Sequence, residues 1–74
     1  MTVQTPISTA ADIREHLQLL FVERALATAE GLSGNAHYMS DLDDEIAATR
    51  AAYVGAAVTE IATLRAELSG RLEG

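Results

Sequence analysis

Five consecutive residues, Gly31-Leu32-Ser33-Gly34-Asn35, form the only strong helix-breaking cluster in the chain. The segments before and after this cluster are long and rich in residues that favour helices. Pro6 is the only proline, and it precedes the first of these segments. Two helices joined by about five residues pack most simply as an antiparallel hairpin. The sequence therefore predicts an all-α protein built as a two-helix hairpin.

The boundaries of the first helix follow from local capping signals. We expect residues 1–7 to form an extended N-terminal arm and residues 8–74 to form a single helical-hairpin domain. Either Ser8 or Thr9 can cap a first helix that runs from about residue 8 to about residue 30. Asp12 then lies in the first turn, where a negative charge is favourable next to the positive end of the helix dipole.

The turn covers residues 31–35, with Gly31 as the C-terminal cap of the first helix and Asn35 as the N-terminal cap of the second. The second helix then runs from about residue 36 to about residue 71. A later start is the alternative, with Ser40 as the cap and Asp43 completing a pair that resembles a capping box.

Apolar residues recur at helical spacing in both segments, which predicts the faces that pack in the hairpin. The stripe on the first helix comprises Ile13, Leu17, Leu20, Phe21 and Ala27. The stripe on the second comprises Met39, Leu42, Ile46, Tyr53, Ala57, Ile61, Leu64 and Leu68. Arg24 and Arg50 fall on the same stripes, so we expect their stems to reach the edge of the core or their charges to find carboxylates such as Glu23 or Glu60 of a second chain.

Two faces remain without a partner after this pairing. Leu19, Val22 and Leu26 lie opposite the first stripe, where an isolated surface helix would be polar. On the second helix, small residues surround Gly55, and a glycine inside a helix costs about 1 kcal/mol relative to alanine. Close approach of another helix would explain a glycine at that position.

Helix lengths predict a dimer independently. The first helix would measure about 33 Å and the second about 52 Å, so the second extends beyond its partner at about residue 58. A chain of 74 residues without cysteine has little core of its own and no disulfide to support it. Either the N-terminal arm folds back over the projecting end through Val3 and Ile7, or a second chain covers it. We expect the second chain, in a homodimeric four-helix bundle whose interface includes Tyr53, Gly55, Ile61, Leu64 and Leu68.

The charge of the chain excludes several partner classes. Eleven acidic residues and five arginines give a net charge of −6, and there is no lysine. A nucleic-acid interface or an anionic membrane surface requires a basic patch, so we expect neither partner. The first residues lack the features of a signal peptide, which predicts a cytoplasmic protein. An acidic chain is suited to a protein partner with a basic surface.

The candidate partner-binding residues form two groups. The first is the unpaired face formed by Leu19, Val22 and Leu26. The second lies near the turn and comprises Tyr38, Asp41, Asp43 and Asp44. We expect His37 to share a face with Asp41, and His16 to pair with Asp12. No catalytic motif is present, and we expect no cofactor, no metal site and no enzymatic activity.

The stretch from Ala51 to Leu68, AAYVGAAVTEIATLRAEL, together with the small, acidic, lysine-free design, resembles small accessory proteins of temperate phages and prophages. The resemblance implies a protein that acts by binding, as an inhibitor or modulator of a host defence or regulatory protein. The alternative is a structural module that assembles into a larger particle.

Overall fold

The computed structural model describes residues 9–73 and contains two α-helices packed against each other. Helix α1 spans Ala10–Ala29 and helix α2 spans Ala36–Glu73, with a single 3₁₀ turn at Leu32–Gly34 between them. The predicted all-helical class and the hairpin are confirmed. The predicted arm of residues 1–7 lies outside the described residues.

Local hydrogen bonds determine where each helix begins and ends. The hydroxyl of Thr9 accepts from the backbone N–H of Asp12 at 3.1 Å, so Thr9, of the two candidates, caps α1. Gly31 follows α1 with a φ of 84°, the left-handed conformation that glycine adopts at little cost. Oδ1 of Asn35 then accepts from the N–H of Tyr38 at 3.0 Å and caps α2. Helix α2 therefore starts at Ala36, and the alternative start at Ser40 is wrong.

The core of the hairpin is thin. Leu20 of α1 packs with Leu42 and Ile46 of α2, and Leu17 and Tyr38 flank this cluster. Along α2, the side that faces α1 repeats at intervals of three and four residues, and each of its members is buried or half-buried. These residues are Met39, Leu42, Ile46, Thr49, Tyr53 and Ala56. This regular alternation is the spacing at which one helix keeps a single face against a neighbour.

Helix α2 is much longer than α1 and extends past it. At the open end of the hairpin, the backbone N–H of Ala10 donates to Oε2 of Glu60 at 2.7 Å. Residues 61–73 of α2 continue beyond that contact. Ile61, Leu64 and Leu68 therefore have no cover from α1, and each leaves about half of its surface exposed.

Two residues expected on the core stripe of α1 lie at its edge instead. Phe21 is 42% exposed, and the guanidinium of Arg50 lies 5.7 Å from the centre of its ring. Arg24 also extends out of the core, as in the first of the two alternatives expected for it, and pairs with Asp43 of the same chain. In both cases a long or bulky side chain at the border of a helical stripe has turned towards the flank of the hairpin.

Candidate partner-binding groove

An open groove of about 360 Å³ lies along the exposed side of α1 and ends at the turn. Its apolar floor is formed by Leu19, Val22 and Leu26, which follow each other at helical spacing. Leu32 and Tyr38 close the end next to the turn. The structure thus brings the predicted face of α1 and Tyr38 into one surface, which we call the α1 groove.

The turn positions the two residues that close the α1 groove. The left-handed Gly31 reverses the chain at the end of α1, and the following 3₁₀ turn starts at Leu32. The Asn35 cap sets the start of α2, and Tyr38 then lies in its first turn. Sequence spacing does not single out Leu32, because it lies inside the breaker cluster, belongs to no helical stripe, and a single exposed leucine is common on protein surfaces.

Glu23 and Tyr38 form a hydrogen bond across the α1 groove. The hydroxyl of Tyr38 donates to Oε2 of Glu23 at 2.7 Å, which links α2 to α1. The hydrogen bond, followed by burial and by the negative charge of Glu23, raises the pKa of Tyr38 above its ordinary value. The hydrogen bond thereby fixes the position of the phenol at the end of the α1 groove.

The polar residues that line the α1 groove give it a negative potential. Glu23 and Glu30 line it directly, and Glu15 lies one turn before Leu19 on the same side of α1. The nearest arginine in sequence, Arg24, is held on the other flank by Asp43. An apolar floor with acidic residues at its border is the result.

The Arg24–Asp43 pair joins the two helices on the flank opposite Tyr38. Nε of Arg24 lies 2.7 Å from Oδ1 of Asp43, and a second bond of 3.5 Å joins Nη2 to Oδ2. The hydrogen bond and the positive charge of Arg24 lower the pKa of Asp43. Asp43 therefore has a structural partner within the chain, and it does not border the α1 groove.

The other acidic candidates point in different directions, because successive residues of a helix are separated by about 100°. Oδ2 of Asp41 lies 3.3 Å from Nε2 of His37, the pair expected from their spacing of four residues. Asp44 is exposed on another side of α2. The structure thus does not bring Asp41, Asp43 and Asp44 together into one acidic site.

His16 does not pair with Asp12 as expected. Its Nε2 lies 3.4 Å from Oε2 of Glu45, so it bridges from α1 to α2. It borders a second, smaller groove of about 290 Å³, which also includes Ala48 and Ala52. Helical periodicity predicts a pair with Asp12, one turn away on α1. The antiparallel packing instead brings the carboxylate of Glu45, on the facing helix, close to His16.

The residues expected in a dimer interface fall into three environments. Tyr53 is half-buried between α1 and α2. Gly55 is exposed, and a Cβ atom added there would meet no other atom within 4 Å. Ile61, Leu64 and Leu68 are exposed beyond the end of α1, and the sequence reasoning missed two further members of this apolar surface, Val54 and Val58.

Among residues 9–70, whose side chains the structure describes, no three histidine, aspartate or glutamate side chains come close enough together to hold a metal ion. In the same part of the chain, neither helix contains an apolar stretch of the length required to cross a bilayer. Comparisons of the chain with protein-family models, with curated proteins and with solved structures find no match.

Proposed function

We propose that the chain is a non-enzymatic, homodimeric protein-binding module whose α1 groove receives a basic amphipathic helix of another protein. The observation that carries this proposal is the combination of an exposed leucine and valine floor with carboxylates at its border. A hairpin that functioned alone would gain solubility from a polar residue at each of the floor positions.

The two parts of the α1 groove have different tasks. Burial of Leu19, Val22 and Leu26, which are 54–62% exposed, supplies affinity, because apolar area leaves water. The acidic residues select a partner with arginine or lysine beside its apolar face, and they speed the encounter. Recognition of a helix by its residues at positions i, i+3 and i+7 in a groove is a recurrent mode of binding.

The residues of the α1 groove favour binding over catalysis. Its lining is apolar except for Glu23, Glu30 and Tyr38, and the carboxylate of Glu23 is engaged by the hydroxyl of Tyr38. Together with the resemblance to phage accessory proteins, this supports a protein that inhibits or modulates a host protein by occupying its basic helix.

The proposal is tested with a defined probe. A synthetic helical peptide carries leucine at positions i, i+3 and i+7 and arginine on both flanks, and its fluorescence anisotropy reports binding to the purified protein. We expect saturable binding that weakens with salt, and we expect Val22→Asp to raise the dissociation constant about tenfold or more.

The matched control is Ala25→Asp, which adds the same charge to an exposed position of α1 away from the groove. Its affinity for the peptide should equal that of the unmodified protein. A second peptide, with glutamate in place of each arginine, should bind at least tenfold more weakly. Equal binding of the two peptides, or equal loss in the two variants, would overturn the proposal.

A further inference from the structure

In residues 36–70, the part of α2 whose side chains the structure describes, the large exposed apolar residues are spaced symmetrically about Ile61. They form the α2 stripe, which comprises Val54, Val58, Ile61, Leu64 and Leu68. The intervals between them are four, three, three and four residues, so the pattern reads the same in both directions along the helix. All five lie within about a third of the circumference of α2.

We infer that the α2 stripe is the seam of an antiparallel homodimer, with the two-fold axis at Ile61. This inference rests on the dimer in the proposed function and specifies its geometry. A two-fold interface uses the same patch on both copies, and therefore requires a surface that is complementary to itself. In the antiparallel arrangement, Val54 lies level with Leu68 of the second copy, Val58 lies level with Leu64, and Ile61 meets Ile61.

The position where α1 begins supports this occupant. Helix α1 begins at the contact between Ala10 and Glu60, and Glu60 lies one residue before the centre of symmetry. In an antiparallel pair, residues 61–73 of each copy then lie along residues 49–61 of the other, where α2 already has α1 on one side. Residues 61–73 of each copy, which we call the overhang, thus pack as a third helix against the two helices of the other copy.

The exposed Phe21 fits the same arrangement. Its ring lies under Arg50, and Arg50 precedes Val54 by one turn on the same side of α2. The overhang of the second copy would pass along this flank of the hairpin. The geometry therefore accounts for an aromatic side chain that is 42% exposed in the single chain.

Charge favours the antiparallel orientation over the parallel one. Arg50 and Arg65 lie on the same side of α2 as the α2 stripe, and a parallel pair would place each of them next to the same arginine of the second copy. Like charges at such close range are unfavourable. In the antiparallel pair, Arg65 lies level with Ala57 of the second copy, and its long stem lets the guanidinium reach water.

The apolar area of the α2 stripe reaches the minimum that a specific interface requires. The five side chains of the α2 stripe are 48–60% exposed in the single chain. Burial of ten such side chains in one seam would remove on the order of 1,000 Å² from water, which reaches the lower limit of specific interfaces.

Disulfide trapping tests the orientation directly, because the chain contains no cysteine. Single variants Ile61→Cys, Val54→Cys and Leu68→Cys are oxidised in air with a copper catalyst, and covalent dimers are quantified by mass spectrometry under non-reducing conditions. A disulfide requires Cβ atoms about 4 Å apart, so each link reports one close pair.

We expect Ile61→Cys to link to itself. Val54→Cys and Leu68→Cys should link when mixed, at least tenfold more than either does alone. Ala66→Cys, on another side of α2, is the control for random collision. Self-links of Val54→Cys and Leu68→Cys that exceed the mixed link would show a parallel pair, and links no greater than the Ala66→Cys control would show that the stripe is no interface. Either result would overturn the inference.

The same proteins separate this inference from the proposed function. Ile61→Glu should convert the dimer to a monomer in sedimentation, and its affinity for the basic peptide, corrected for the folded fraction that circular dichroism measures in the same sample, should be unchanged. Thr63→Glu, which adds a charge on the opposite side of the overhang, should leave the dimer intact. When Val22→Asp is added to the cysteine variants, the same disulfide links should form although the basic peptide no longer binds. Failure of the dimer proposal can therefore be distinguished from failure of the proposed function.

Discussion

The backbone N–H of Ala10, the first residue of α1, donates a hydrogen bond of 2.7 Å to the side chain of Glu60, fifty residues later in the chain. The first amides of a helix have no partner within the helix, and a negative charge is favourable there. Glu60 thus caps the N-terminus of α1 together with Thr9, and it links α1 to α2 at the open end of the hairpin.

This contact predicts that Glu60→Gln lowers the free energy of unfolding by about 0.5 kcal/mol, because the charge at the helix N-terminus is lost. Urea unfolding at one fixed protein concentration measures the change. Glu67→Gln, which removes a charge from the overhang, is the control and should have a smaller effect. Equal effects of the two variants would contradict a specific capping role.

Acid should weaken the Arg24–Asp43 pair. Because Arg24 lowers the pKa of Asp43 in the folded chain, the pair stabilises the fold above the ordinary pKa of 3.8. That contribution is lost as the pH falls through the lowered folded-state pKa. The stability difference between the unmodified protein and Asp43→Asn should therefore shrink from about pH 6 to about pH 2. A difference that stays constant over this range would contradict the pairing.

Base should affect the Tyr38–Glu23 hydrogen bond. The raised pKa of Tyr38 means that the bond stabilises the fold fully below pH 10.0 and is lost as the pH rises through the folded-state pKa. In a Tyr53→Phe background, ultraviolet absorbance of the phenolate follows Tyr38 alone. We expect Glu23→Gln to move its pKa back towards 10.0, and an unchanged titration would show that the bond does not persist in solution.

Gly55 distinguishes two possible dimer seams. A Cβ atom added at this position meets open space, so Gly55→Ala should raise the free energy of unfolding by about 0.5–1 kcal/mol through helix propensity. Gly55→Leu should leave the dimer intact in sedimentation, since Gly55 lies outside the α2 stripe. Loss of the dimer in Gly55→Leu would instead place the seam on the face of α2 where small residues surround Gly55.

Local signals made the hairpin predictable, because each one acts within a few residues. Thr9, Gly31 and Asn35 cap helices or reverse the chain through their own backbone and side-chain chemistry. The floor of the α1 groove was also predictable, because leucine and valine occupy the side of α1 opposite its core stripe, where a surface helix is normally polar. These features required no knowledge of how the two helices meet.

The lateral contacts depend on the packing and were therefore missed. Phe21 and Arg24 occupy the border of a stripe, and only the relative position of α2 decides that they turn outward to Arg50 and Asp43. Helical spacing alone assigns the apolar residues of α2 to one continuous stripe. Because α1 covers only part of α2, the structure divides them into a packed face up to Ala57 and an exposed α2 stripe.

The thin core described above has a consequence for the amount of protein in a cell. Only Ile13, Leu20, Ala27, Leu42 and Ile46 are buried hydrophobic residues in the part of the chain that the structure describes. If the α2 stripe supplies the remaining burial through a second copy, folding becomes a second-order process, and the folded fraction depends on total concentration. Dilution would then expose the chain to proteases, and newly made copies would accumulate in active form only above a threshold of expression.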